Sequence, residues 1–289
     1  MGGEDIMQSG MKNRIFYFSG TGNSMRAAIV IAQVLGNTEI ISMRCNPSDV
    51  PAINSDIVGF VFPVYHWTIC EAIQEFVSDL EINPNAYIFA VSTPSFINGF
   101  SFEVLDKLLK EKGARLQYGK RIFSVANLCI VYPPFPFPKL RVPATERKIA
   151  KISGMIQKKA TNTYAKAGWL TRLIYPKMMP KYRAIQAEVD KGFSVSDDCI
   201  SCGICSKICP KKNITMENLH PLFLHNCSCC MACVSFCPEK AIKYHLPPEQ
   251  LEKINTPFMR MMKLPDKRKL YHNPYISAND LMIDQKYID

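Results

Sequence analysis

Eight cysteines in two matching runs carry the most specific chemistry in this sequence. Cys199, Cys202, Cys205, Cys209 and Pro210 spell C-x2-C-x2-C-x3-C-P, and Cys227, Cys230, Cys233, Cys237 and Pro238 repeat the pattern 28 positions later. Thiolates at these separations bring three sulfurs to one iron–sulfur cube, while the proline carries the fourth cysteine off to the other cube. The expected product is two [4Fe–4S] clusters. Cys199, Cys202, Cys205 and Cys237 would hold one, and Cys227, Cys230, Cys233 and Cys209 the other. A zinc site prefers two separated C-x2-C pairs. A disulfide framework needs an oxidising compartment and usually a short secreted chain. Neither suits four cysteines packed into eleven residues, twice. The second run departs from the first at Met231, where the first has Gly203, and it carries an extra thiol, Cys229. That thiol is either a bystander or a substitute for Cys230.

Residues 198–244 resemble the bacterial two-cluster ferredoxins. Asp198 and Asn226 precede the first cysteine of each run, and Ile214 and Ile242 follow each proline.

A second chemical feature lies near the start. Residues 14–18 read as a short buried strand that runs into Ser19-Gly20-Thr21-Gly22-Asn23-Ser24 and then into an apolar helix over 25–35. Glycines let backbone N–H groups converge on a phosphate, the hydroxyls of Ser19, Thr21 and Ser24 add hydrogen bonds, and the helix N-terminus adds partial positive charge. The loop lacks the G-x-G-x-x-G dinucleotide pattern and the P-loop lysine, so alone it implies only a phosphate.

The elements around this loop narrow the reading. Strand-like runs recur at 39–42, 57–62, 87–92 and 122–126, separated by helix-like stretches at 69–80, 102–112 and 145–160. In the last helix Ile149, Ile152 and Ile156 share one face,. Alternating strands and helices predict an α/β fold with a doubly wound parallel sheet, whose ligands bind beyond the C-terminal strand ends. Three loops leave those ends: residues 19–24, Pro63-Val64-Tyr65-His66-Trp67, and Thr93-Pro94-Ser95-Phe96-Ile97-Asn98-Gly99.

These three loops resemble those of flavodoxin. The first is similar to the flavodoxin phosphate loop; the second and third stand where flavodoxins cover the two faces of the isoalloxazine. The resemblance implies bound FMN, with Tyr65, Trp67 and Phe96 as the stacking aromatics. A flavodoxin-like half joined to a small α+β two-cluster ferredoxin half resembles a family of flavodoxin–ferredoxin fusion proteins of anaerobic microbes. It implies a flavodoxin-like domain over 11–165, a basic connector over 166–192, a 2[4Fe–4S] ferredoxin domain over 193–246, and a tail over 247–289 that packs back on the domains.

At 289 residues and 47% hydrophobic content, the chain can bury two such cores,. No apolar run is long enough to span a bilayer. The first ten residues are polar and acidic, unlike a signal peptide. Twelve cysteines in such a chain suit a reducing cytoplasm; Cys45, Cys70 and Cys129 read as small buried hydrophobes,. The net charge of +10 sits in one segment: residues 139–192 hold thirteen basic and three acidic side chains. Such a segment is either a solvated helix face with a basic connector or a surface that attracts an acidic redox partner or an anionic membrane. No motif for reading nucleic acid accompanies it.

Residues 128–138 include Pro133, Pro134, Pro136 and Pro138 among aromatics and read as an extended segment, either a lid or a crossover,. Ser277 and Asp280 suggest a capping box for a short last helix,. Two functions fit the parts: an electron carrier relaying charge between clusters, FMN and a partner, or an FMN-dependent reductase fed by its own ferredoxin domain. The second predicts a cavity walled by His66, Tyr132 and Phe135, with His66 as the first proton donor to test.

Overall fold

The computed structural model describes residues 13–50, 55–129, 132–187, 189–244 and 269–289. The expectations for the first ten residues, for Ile130 and Val131, and for residues 247–268 of the tail lie outside the described residues.

Strands β1 (Asn13–Tyr17), β2 (Thr38–Ser42), β3 (Ile57–Phe62), β4 (Tyr87–Ser92) and β5 (Tyr118–Arg121) run parallel in the order 2-1-3-4-5. This is the flavodoxin-like doubly wound order, with its switch point between β1 and β3. Successive side chains point to opposite faces of the sheet. Ile15, Tyr17, Ile40, Val61, Phe89 and Val91 therefore join one core cluster. Phe16, Phe18, Ile41, Phe60, Phe62 and Ile88 join the other. Helices α1 (Asn23–Leu35) and α4 (Pro138–Gln157) cover the first face through Met25, Ala28, Ile31, Ile149, Ile152 and Ile156. Helices α2 (Glu71–Asp79) and α3 (Ser101–Glu111) cover the second through Ile73, Phe76, Leu105 and Leu109.

Three sequence expectations change. The last parallel strand is Tyr118–Arg121, not 122–126. β4 ends at Ser92, so only one more ladder bond forms, from Ile122 N to Ser92 O at 2.8 Å. The chain then turns over the sheet end, where Ser124 N donates to Pro94 O at 2.9 Å. Apolar residues marked this turn as a strand because it packs inward: Ile122, Val125 and Ala126 are buried. Helix α4 starts inside the proline-rich run, because Pro138 sits at its N-terminus, where a missing N–H costs nothing,. The stretch expected to be a connector forms helix α5 (Trp169–Ala187) despite Pro176 and Pro180. Their four-residue spacing stacks both interruptions along one side of the helix.

The second half is a small α+β unit. β6 (Phe193–Val195) pairs antiparallel with β9 (Ile242–Tyr244), and β7 (Ile214–Glu217) with β8 (His220–Phe223). One-turn helices α6 (Ile204–Lys207) and α7 (Ala232–Phe236) carry the third cysteine of each run, Cys205 and Cys233. Ile208, Ala232 and Phe236 belong to the same core cluster as α1, so the two halves share apolar packing. Arg44 fastens the junction: it donates to the carbonyls of Lys207 and Met282 and pairs with Asp284 at 2.6 Å.

The last residues return to the first half. Ser277 and Asp280 form a capping box at the start of α8 (Ala278–Met282). β10 (Gln285–Ile288) then adds antiparallel to β2. It covers an edge that holds the buried pair Arg14–Glu39 at 2.8 Å,.

Candidate redox site

The two cysteine runs close on two separate hollows. Cys199, Cys202, Cys205 and Cys237 line one. Cys209, Cys227, Cys230 and Cys233 line the other. Each hollow thus takes three cysteines from one run and the fourth from the other. Among the described residues no three His, Cys, Asp or Glu side chains converge where a single metal ion could sit.

Backbone donors support the sulfurs. Asn213 N donates to Cys209 Sγ at 3.2 Å, and at the equivalent place Ala241 N donates to Cys237 Sγ at 3.3 Å. Cys229 N donates to Cys227 Sγ at 3.3 Å. Such bonds favour the reduced, more negative state of a cluster and raise its potential. Burial pushes the Cys205 thiol up to about 11 and the Cys227 thiol up to about 12, and lifts Cys230 and Cys233 well above the usual thiol range. These sulfurs stay protonated on their own and become thiolates only against metal charge, so loading iron must release protons.

A third cavity, of about 590 Å³, lies at the C-terminal ends of β1, β3 and β4. Ser19, Gly20, Thr21, Asn23, Ser24, Pro63, Val64, Tyr65, His66, Trp67, Thr93, Ser95 and Phe96 line it, bringing all three sequence-predicted loops to one place. Gly22, Pro94 and Gly99 are absent from its lining and hold the loops instead. Gly22 packs on Asn273 and Ile276, and the carbonyl of Pro94 anchors Ser124. Gly99 has φ +54°, and a Cβ there would fall 1.9 Å from the Trp67 carbonyl. Only glycine allows that approach, which lets Phe100 N donate to Trp67 O at 2.8 Å and ties the second loop to the third,.

The second loop is a two-residue hairpin. Tyr65 and Thr68 exchange both backbone bonds at 3.0 Å, and His66 and Trp67 both have positive φ, 50° and 62°. A bulky residue in the left-handed region is rare, and such outliers gather at functional sites. Burial lowers the His66 imidazole below the usual histidine range, so it is neutral near pH 7. Burial also holds the Tyr65 hydroxyl protonated.

Two features fit a phosphorylated flavin. No side chain caps the N-terminus of α1, which leaves its first N–H groups facing the Ser19–Ser24 loop,. Asn127, which sequence reasoning missed, lines the cavity with a buried Oδ1 that has no partner among the described residues; its Nδ2 donates to Ser235 Oγ and to Tyr271 O at 2.7 Å. The missed wall also includes Tyr175, Met178 and Met179 of α5. Their signal was faint: aromatic and methionine residues in a stretch whose prolines argued against a helix. Of the expected lid, Tyr132 lines the cavity, while Phe135 packs edge-to-face on Tyr132 and tilted on Phe96, 5.1 and 5.4 Å between centroids.

The cavity and the second hollow share a wall. Ser228 and Cys230 line both. A Cβ on Gly20 would fall 2.2 Å from the Cys230 carbonyl, so the phosphate-type loop rests directly on the cysteine run. Cys229 also lines the cavity.

Residues 193–242 match the family model of the 4Fe–4S dicluster domain. No curated protein matches the chain. Among solved structures it is similar to the rubredoxin oxygen:oxidoreductase of the anaerobe Desulfovibrio gigas, at 15% identity over 50% of this chain and 35% of that one, with a TM-score of 0.37. This chain thus spans about a third of that protein's length. It is also similar to a putative flavoprotein of Bacteroides uniformis, at 16% identity over 39% of this chain and 91% of that one, TM-score 0.32. The two-electron reduced flavodoxin of Megasphaera elsdenii matches at 16% identity over 48% of this chain and 98% of that one, TM-score 0.31. Among the described residues no helix is long and apolar enough to cross a membrane. The first half thus has the flavodoxin-like strand order, and residues 193–242 of the second carry the 4Fe–4S dicluster domain.

Proposed function

We propose that the chain relays electrons between two [4Fe–4S] clusters and a bound FMN, and onward to a redox partner protein. Support comes chiefly from one contact: Cys230 belongs to the second hollow and to the large cavity at once, with Gly20 against its backbone. Bound FMN would exchange one or two electrons, and each cluster one, which lets the pair convert between single and paired electrons.

The chain's own groups have distinct tasks in this reading. Ser19, Gly20, Thr21, Asn23, Ser24 and the open N-terminus of α1 hold the phosphate, and Gly22 shapes the loop. Tyr65, Trp67 and Phe96 cover the ring system. The unpartnered Asn127 Oδ1 accepts a hydrogen bond from a flavin N–H or hydroxyl. Cys209, Cys227, Cys230 and Cys233 hold the inner cluster, while Cys199, Cys202, Cys205 and Cys237 hold the outer one. Cys202 is exposed, and Ile200 beside it is 62% exposed, which suits a contact with a partner protein. The basic surplus over 139–192 suits an acidic partner,.

Anaerobically purified protein should contain about eight irons, eight sulfides and one FMN per chain, as two cubes and one flavin site require. A spectroscopic redox titration should resolve both kinds of centre. Protein free of sulfide, or free of flavin after purification and reconstitution, would overturn the proposal.

One observation favours a second reading, the reductase. Tyr175, Met178 and Met179 of helix α5, with Tyr132 and His66, line the cavity, as a pocket for a small acceptor over the flavin requires. His66→Gln then separates the two. It should slow turnover of small acceptors and leave electron exchange with a protein partner unchanged.

A further inference from the structure

A cavity of about 570 Å³ opens beside β5 and shares no lining residue with the redox cavity. Lys120, Arg121, Arg141 and Lys148 line it, and no acidic residue does. None of the four is in an ion pair among the described residues. The Arg121 and Arg141 guanidinium groups lie 5.1 and 6.0 Å from the centroid of Phe123, a ring 37% exposed. The β5 side of the hollow is fixed, because Asn162 Oδ1 accepts from Gly119 N at 2.8 Å while its Nδ2 donates to Gly119 O at 3.0 Å.

The electrostatics of this hollow are one-sided. Four like charges around one concavity repel each other. The first turns of the 20-residue helix α4 form one wall, and its N-terminus has no acidic residue and no capping side chain. Lys139 and Arg141 sit there instead, at the positive end of the helix dipole, where cations are disfavoured,. An anion in the hollow removes both conflicts. The volume falls in the range of small-ligand sites. Paired guanidinium forks match phosphate oxygens, and the Phe123 ring between them holds the two arginines at one place,.

We propose that this hollow binds a phosphate-bearing small molecule, at a site separate from the Ser19–Ser24 loop and independent of the flavin reading. It stands back to back with the redox cavity: Phe123 lines one, and the next residues, Ser124 and Val125, line the other. A ligand here is therefore placed to influence the redox site through one turn of chain.

The test is calorimetric titration of inorganic pyrophosphate into the anaerobic full-length protein, with and without added FMN, at about 0.15 M salt, where long-range charge effects are screened. One saturable site is expected. Arg121→Gln with Arg141→Gln should weaken it at least about tenfold, the loss of two charge-assisted bonds. The exposed pair Lys120→Gln with Lys148→Gln should weaken it about threefold, which keeps the test decisive if the arginine variant folds poorly. Lys158→Gln with Lys159→Gln, at the far end of α4, should change nothing. Absence of saturable binding, or equal binding by all variants, overturns the proposal. So does binding of a poly-glutamate peptide without pyrophosphate binding, which would make the face a docking surface for an acidic protein.

Discussion

Cys230 lies against the phosphate-type loop, whereas Cys202, its counterpart in the first run, is exposed. The two runs otherwise share one backbone. Ser201 and Cys229, Gly203 and Met231, and Lys212 and Lys240 are pairs 28 positions apart, and all six residues lie in the left-handed region. The N–H···S bonds at Cys209 and Cys237 correspond in the same way. What differs is the surroundings. A Cβ on Gly203 would meet nothing within 4 Å, while Met231 is 1% exposed and packs with Cys129, Val234 and Tyr244. A left-handed residue with a side chain costs about 1–2 kcal/mol. Burying a methionine contributes about 1.5–3 kcal/mol and offsets that cost. The duplication keeps ligand geometry in both runs, and the positions between ligands have adapted, one run to the outside and the other to the flavodoxin-like half.

The largest effect that separates the runs is loss of a whole cluster. Cys209→Ser should remove the inner cluster and leave the outer one, so iron falls from about eight to about four per chain. Cys237→Ser should do the reverse. Iron assay with low-temperature spectroscopy of both variants checks this, and if each variant lost the cluster of its own run, the crossed ligation would be wrong.

Next in size is the packing difference. Met231→Ala should cost about 2–5 kcal/mol, as expected for emptying a buried methionine site. Gly203→Ala should cost only about 1–2 kcal/mol, the left-handed penalty without a clash. Anaerobic denaturation of the loaded proteins measures both, and equal costs would erase the contrast.

A smaller effect falls on the shared wall. Gly20→Val would press a side chain on the Cys230 carbonyl, and overpacking of this kind costs about 1–3 kcal/mol,. It should weaken FMN retention about tenfold while the iron content stays whole, as read by flavin release and iron assay. The smallest effect is at the rim. Lys211 pairs with the exposed Glu75 at 3.1 Å, and Lys211→Ala should cost less than about 1 kcal/mol and vanish at high salt,.

Sequence legibility followed the same divide. The two hollows were legible because spacing is local: each run places three sulfurs by itself, and the eight cysteines that line the hollows could be named before any fold was known. The three loops that line the large cavity were legible because strand periodicity marks the C-terminal strand ends. Asn127, Tyr175, Met178 and Met179 were not, since they reach the cavity only through tertiary packing. Helix α5 was hidden by Pro176 and Pro180, and β5 by its composition: Tyr118-Gly119-Lys120-Arg121 is an edge strand without apolar alternation. Strand β10 escaped notice for a related reason, because its partner, β2, lies over 240 residues away in sequence.

An anaerobic crystal structure with data collected at the iron absorption edge tests the central claim most directly. The account predicts about eight iron sites in two groups of four. The group held by Cys209, Cys227, Cys230 and Cys233 should lie nearer to flavin density in the cavity beside Gly20. Finding the Cys199, Cys202, Cys205 and Cys237 group nearer the flavin, or single metal ions in place of cubes, would contradict it.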